Sequence, residues 1–142
     1  MTRKILFPFV LVLAAAVFAG CGGGGVQLTG TVTFYDGEPL EFGTVCFVAG
    51  NSMSRGDIGP GGKYRVSTNN PSDGIPPGTY TVYLINTERT EEVPIGGDGD
   101  FRDVTIRTVA PKYTSPTTSG LTVTVDRSTR TFDFQVERFQ GR

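Results

Sequence analysis

The chain has 142 residues, with 20 Gly, 9 Pro, two Cys, no Trp and no His, and its formal charge is −1. The missing histidine excludes Ser-His-Asp and Cys-His catalysis and His-ligated zinc or haem, and the near-zero charge argues against a nucleic-acid surface. Hydrophobic and charged shares of 37% and 19% suit a small, turn-rich domain with a polar surface rather than a disordered chain.

The chain opens with Arg3 and Lys4, followed by an apolar run from Ile5 to Phe18 and then Ala19-Gly20-Cys21. A charged start, an apolar middle and small residues before a cut are the layout of a secretory signal. As a helix the apolar run spans about 21 Å, short of the roughly 20 residues needed to cross a bilayer. Ala19-Gly20-Cys21 resembles the bacterial lipobox, although Phe18 stands where that motif usually has Leu. The resemblance implies cleavage after Gly20 and lipidation of Cys21. Residues 1–20 are then a lipoprotein signal peptide, 21–25 the lipidated cysteine with a flexible Gly22–Gly25 tether, and 26–142 the domain. Buried acyl chains contribute about 0.8 kcal/mol per methylene, so the membrane is an expected partner. Removal of the leader leaves 11 basic and 14 acidic side chains, a net −3. Cys46, alone after processing, lies in an apolar run and is read as a buried small hydrophobe rather than a reactive thiol.

Residues 26–35 alternate apolar and polar and predict a half-buried strand. Asp36-Gly37 is a turn signal. Residues 44–48 predict a second, mostly apolar strand, 56–62 a glycine-rich turn, and 63–68 a strand with Tyr64 and Val66 inward. After a polar loop over 69–78, the β-branched and aromatic run 79–86 predicts a strand with Tyr80, Val82 and Leu84 inward. Residues 88–103 read as a long exposed loop, 104–109 as a short strand and 111–120 as a loop. Residues 121–126 and 131–137 alternate and predict a terminal hairpin around Ser128. The mature chain shows no sustained helical period. Seven short strands with regular turns predict an all-β fold, an antiparallel β-sandwich.

Several pieces in order carry a family resemblance: Leu28-Thr29-Gly30-Thr31-Val32, Asp36-Gly37-Glu38-Pro39-Leu40, Gly43-Thr44-Val45-Cys46-Phe47, Gly61-Gly62-Lys63-Tyr64-Arg65-Val66 and Ile75-Pro76-Pro77-Gly78-Thr79-Tyr80-Thr81-Val82. Together they resemble the carboxypeptidase regulatory-like, or transthyretin-like (prealbumin-like), β-sandwich domain. Pro111-Lys112-Tyr113 and the run Thr118 to Val123 are similar to small lipoproteins of planctomycete-type bacteria. The resemblance implies a transthyretin-like or Ig-like sandwich that serves as an accessory or adhesive module without chemistry of its own. Fold analogy by itself assigns no function.

Candidate sites are few. Asp98, Asp100 and Asp103 lie in a glycine-rich segment. Alternate carboxylates there suit calcium, but Arg102 occupies the next alternate position. A solvated loop is the simpler reading, with no cofactor expected. Tyr35, Tyr83 and Tyr113, if outward, would form a sugar-stacking surface. Hydroxyisourate-hydrolase chemistry is excluded by the missing histidine. A Lys–Asn isopeptide bond is disfavoured, since Lys63 and Lys112 are the only mature lysines. The expected function is a non-enzymatic, membrane-tethered envelope lipoprotein, facing the periplasm or the exterior and acting as an interaction or structural module, with an envelope protein as its expected partner. The alternative is a carbohydrate-binding module that takes a glycan at the cell surface.

Overall fold

The computed structural model describes residues 24–97 and 99–141. Its strands are β1 (Thr29–Phe34), β2 (Thr44–Ala49), β3 (Ser52–Asp57), β4 (Lys63–Arg65), β5 (Gly78–Ile85), β6 (Glu88–Pro94), β7 (Phe101–Arg107), β8 (Leu121–Val125) and β9 (Phe134–Val136). They form a three-stranded sheet in the order β4-β1-β9, a four-stranded sheet in the order β3-β2-β5-β8, and a separate two-stranded sheet, β6-β7. The all-β expectation is met, and the described helical turns are two short 3₁₀ segments, Pro60–Gly62 and Pro111–Thr114.

The two larger sheets share one core. The inward residues of β1 (Val32, Phe34), β2 (Val45, Phe47), β4 (Tyr64), β5 (Tyr80, Val82, Leu84) and β9 (Phe134, Val136) are all buried. Phe47 sits at the centre. Its ring meets Tyr64 and Phe132 from the three-stranded side and Tyr80 on its own sheet, with centroids 6.2, 6.3 and 6.4 Å away. Those separations suit tilted and edge-on aromatic contacts. Cys46 is fully buried, as its sequence context suggests, and burial raises the pKa of its thiol.

Three local readings are corrected by the tertiary structure. Residues 56 and 57, expected in the glycine-rich turn, belong instead to a strand over residues 52–57, β3, that shows no hydrophobic alternation. Its inward positions are Ser54, whose hydroxyl lies 2.7 Å from that of Thr68, and Gly56, where a Cβ would meet the Arg65 carbonyl oxygen at 2.5 Å. Residues 88–103 are not a long loop. They form β6, a tip and the start of β7, joined in unbroken antiparallel register from Glu88 opposite Arg107 to Pro94 opposite Phe101. Residues 121–137 are not a hairpin either. β8 pairs with β5, whereas β9 pairs in parallel with β1, so the chain crosses from one sheet to the other. The crossing is held by Asp126, whose carboxylate accepts from the Ser128 and Thr129 backbone amides and hydroxyls; these bonds hold its pKa below the usual value.

The β1–β9 pairing contains a kink centred on Gly30. Thr29 lies opposite Thr131 and Val32 opposite Phe134, so the register is the same on both sides of the kink. A regular ladder would have the Thr31 N–H donate to the Phe132 carbonyl. Instead Thr31 donates to Asp133 Oδ1 at 2.8 Å, and the Phe132 carbonyl accepts from the Tyr64 hydroxyl. Tyr64 reaches it by crossing Gly30, its partner in the β1–β4 ladder. A Cβ on Gly30 would collide with both the phenol oxygen and the Phe132 carbonyl. Burial, with the Asp133 carboxylate nearby, pushes the Tyr64 hydroxyl far up, so it remains a donor.

The start of the described chain is tied to the loop before β5. Gly25 N–H donates to the Asp73 carbonyl at 3.0 Å, and Val26 and Ile75 exchange backbone bonds at 2.7 and 2.9 Å. Gly25 therefore belongs to the fold, not to a free tether, and Gly24, where the described residues begin, is exposed. The Asp73 carboxylate accepts from the Thr68, Asn69 and Asn70 amides at 2.7 to 2.8 Å, and these bonds lower its pKa.

Gly30→Ala is expected to lower the unfolding free energy by about 3 kcal/mol, as over-packing against backbone does. Tyr64→Phe, which orphans the Phe132 carbonyl, should cost about 1–2 kcal/mol. Urea titrations monitored by circular dichroism check both. A fall in pH through the depressed Asp73 value should release the 68–75 loop, because a lowered folded pKa contributes stability only while the group stays ionised. Asp73→Asn should remove that acid transition, which is read as amide exchange at Val26 and Ile75.

Candidate functional site

The β6–β7 arm leaves the body where β5 ends. Asn86, with φ of 56°, bends the chain, and Thr87 is buried at the bend. One side of the arm carries Arg89, Glu91 and Val93 opposite Ile106, Val104 and Arg102. The other carries Glu88, Thr90 and Glu92 opposite Arg107, Thr105 and Asp103 and is exposed. Cross-strand pairs and the exposed ion pair of Arg107 with Glu88, at 2.8 Å, hold the strands together. At the tip Ile95 N–H donates to the Asp100 carbonyl, and Ile95 and Phe101 are 47% and 60% exposed.

At the base of the arm is an open groove of about 380 Å³. Phe34 and Leu40 lie beneath it, Phe42, Ile106 and Phe139 form its apolar walls, and Arg89, Arg107 and Arg138 line it. Arg138 is held on two sides. Its guanidinium lies 3.8 Å from the Phe34 ring centroid, and its Nε donates to Asp36 Oδ2 at 2.7 Å. The Arg138 guanidinium, together with the Glu38 amide, keeps the Asp36 carboxyl below the usual aspartate range. Asp36 also shapes the turn, in which Gly37 takes a φ of 90°. A larger open depression of about 580 Å³ lies over the β1 kink, between Asp57, Lys63, Arg65 and Asp133. Asp133 there is committed to the Thr31 amide and Asp57 to the Thr44 hydroxyl at 2.8 Å.

The three tyrosines do not form one surface. Tyr35 is exposed, at 61%, but Tyr113 is 3% exposed and belongs to the core, correcting the expectation that it faces outward. It turns inward because the Pro111–Thr114 turn packs down on the sheet; burial raises the pKa of its hydroxyl, which lies 3.5 Å from that of Tyr35. Tyr83 is half-buried on the outward side of the four-stranded sheet, in register with Cys46, and burial likewise raises its pKa. Asp100 lies in the tip of the arm, and Asp103 is in β7 opposite Glu92. Asp98 and Cys21 lie outside the described residues. Among the described residues no three acidic or cysteine side chains gather closely enough to hold a metal ion.

Sequence reading did not single out Arg89, Arg107, Arg138 or Phe139. The available signal was the alternation of Arg89, Glu91 and Val93, which charge conceals. No protein-family model, curated protein or solved structure matches the chain.

Arg138→Gln is expected to let the Asp36 pKa climb back toward the usual 3.8. Carbon-detected NMR titration of the carboxyl measures this. In the parent chain the ion pair contributes stability above that value and loses it as pH falls through the depressed one.

Proposed function

We propose that the chain is a non-enzymatic lipoprotein of the bacterial cell envelope, tethered to a membrane through lipidated Cys21. In this reading it is a transthyretin-like β-sandwich of the carboxypeptidase regulatory-like kind that acts by binding another envelope protein. The ordered motifs support the fold assignment, because Asp36-Gly37 turns the chain out of β1 and Pro77 stands directly before β5. The absence of histidine supports a role without catalysis.

One observation carries the interaction reading: a two-stranded arm holds Ile95 and Phe101 out in solvent, away from the core. A lone two-stranded ribbon is at best marginally stable, and an exposed aromatic at its tip adds nothing to the core. The arm is also placed for reach. β5 starts beside the Val26–Ile75 pairing and ends at the arm, so the arm and the start of the described chain lie at opposite poles. A tethered body would therefore present the arm away from the bilayer. The glycan alternative retains only Tyr35, since Tyr113 is buried and Tyr83 sits on a different face.

Metabolic labelling with palmitate should mark the parent chain but not Cys21→Ser, and equal labelling would refute the anchor. A photo-crosslinking residue at position 101 should trap a discrete envelope protein in living cells, whereas the same residue at position 124, on β8, should not. Identical products from both positions would remove the arm from the interaction.

A further inference from the structure

We infer that the groove at the base of the arm binds an acidic peptide segment that carries an apolar side chain. This deepens the interaction reading and rests on it. The arginines of the groove are held in a common way. Arg89, Arg107 and Arg138 each meet a carboxylate of Glu91, Glu88 or Asp36 through the single Nε nitrogen, at 2.8, 2.8 and 2.7 Å. Among the described residues no hydrogen bond engages the paired terminal nitrogens of these three side chains. Arg107 and Arg138 are thus steadied on one edge by an Nε hydrogen bond and Arg89 by an ion pair within its strand, and each keeps a two-pronged donor fork, the geometry that matches a carboxylate; Arg107 shares the far face of the arm with Glu88, so Arg89 and Arg138 are the pair assigned to the ligand.

Two of the three also rest on aromatic rings. Arg138 lies 3.8 Å from the Phe34 centroid, and Arg107 lies 6.0 Å from that of Phe139. Stacking and the Nε bond together reduce the freedom lost when a ligand binds. The carboxylate that lines the groove, Glu41, is turned to the Gly61 amide at 3.1 Å. Between the arginines the groove presents the apolar side chains of Phe42, Ile106 and Phe139. A purely ionic ligand would leave that surface wet, and a purely apolar one would leave the forks unused.

An extended segment fits better than a small molecule or a membrane. Small-ligand pockets enclose most of their ligand, whereas this groove is open between the 34–42 turn and the arm. A flat bilayer surface does not enter a concavity floored by the buried Phe34 and Leu40. The groove also lies at the arm's pole, opposite Gly25.

The test uses the full chain in neutral detergent and a synthetic fluorescent heptapeptide in which Glu alternates with Phe and Leu. Anisotropy should show saturable binding that weakens about tenfold when every Glu of the peptide becomes Gln, as expected for charge-assisted bonds. Arg89→Gln and Arg138→Gln should each weaken it about threefold to tenfold, and Arg138→Lys, which keeps the charge but loses the fork, by a similar factor. Unchanged thermal melts establish that the variants are folded, and Arg89→Gln on the exposed arm leaves the core untouched. Equal affinity for the Gln peptide, or indifference to all three substitutions, overturns the assignment. So does capture of the Cys21→Ser chain by phosphatidylglycerol vesicles through the same arginines with no peptide bound. Loss of peptide binding alongside intact crosslinks from position 101 would sink the groove alone. Loss of both would sink the interaction reading.

Discussion

The fold depends on one close approach, that of the Tyr64 phenol across Gly30 to the Phe132 carbonyl. Tyr64 must be buried, because its ring completes the contact between Phe47 and the three-stranded sheet. A buried hydroxyl needs a partner, and the partner it takes is a carbonyl that the β1–β9 ladder would otherwise use. The ladder stays satisfied because the Asp133 side chain replaces that carbonyl at Thr31. Three strands are thereby joined at one residue that only glycine can occupy, and the parallel pairing resumes in the same register beyond it.

That register determines what lies at the far end of the sheet. Because Phe34 pairs with Val136, the chain two residues later places Arg138 over the Phe34 ring. The short antiparallel contact of Val109 with Arg138 then fixes the segment that follows the arm against the segment that follows β9. The groove wall is thus assembled from the 34–42 turn, the base of the arm and the last strand. None of these pieces forms the groove without the other two.

The charges follow a single pattern. Exposed ion pairs contribute little to stability, and the four among the described residues are all about half exposed. Their consequence is positional. Asp36, Glu88 and Glu91 orient guanidiniums, while Asp73 and Asp126 organise backbone amides at the opposite pole. One pole is therefore closed by carboxylates that accept from the chain's own backbone amides. The other presents arginine forks that the chain leaves unused.

Much of the body was legible in the residue order. Alternation in 26–35 and the β-branched run of 79–86 report strands directly, since period-two burial is a local property. The Asp36-Gly37 turn is equally local, because it needs only one residue with positive φ. β3 was hidden because its inward positions are Ser54 and Gly56, chosen by a Thr68 hydroxyl and an Arg65 carbonyl. The arm was hidden because charged residues make up half of its strands, and Tyr113 was misplaced because burial by a 3₁₀ turn has no periodicity. By itself the sequence determined the all-β character, most strand positions and the inward residues of the core. Only the tertiary structure decided that residues 121–137 split between two sheets, that Gly30 faces Tyr64, and that Arg138 meets Phe34 and Asp36. Those contacts join residues as many as 104 positions apart, and no local pattern along the chain records which distant residue arrives.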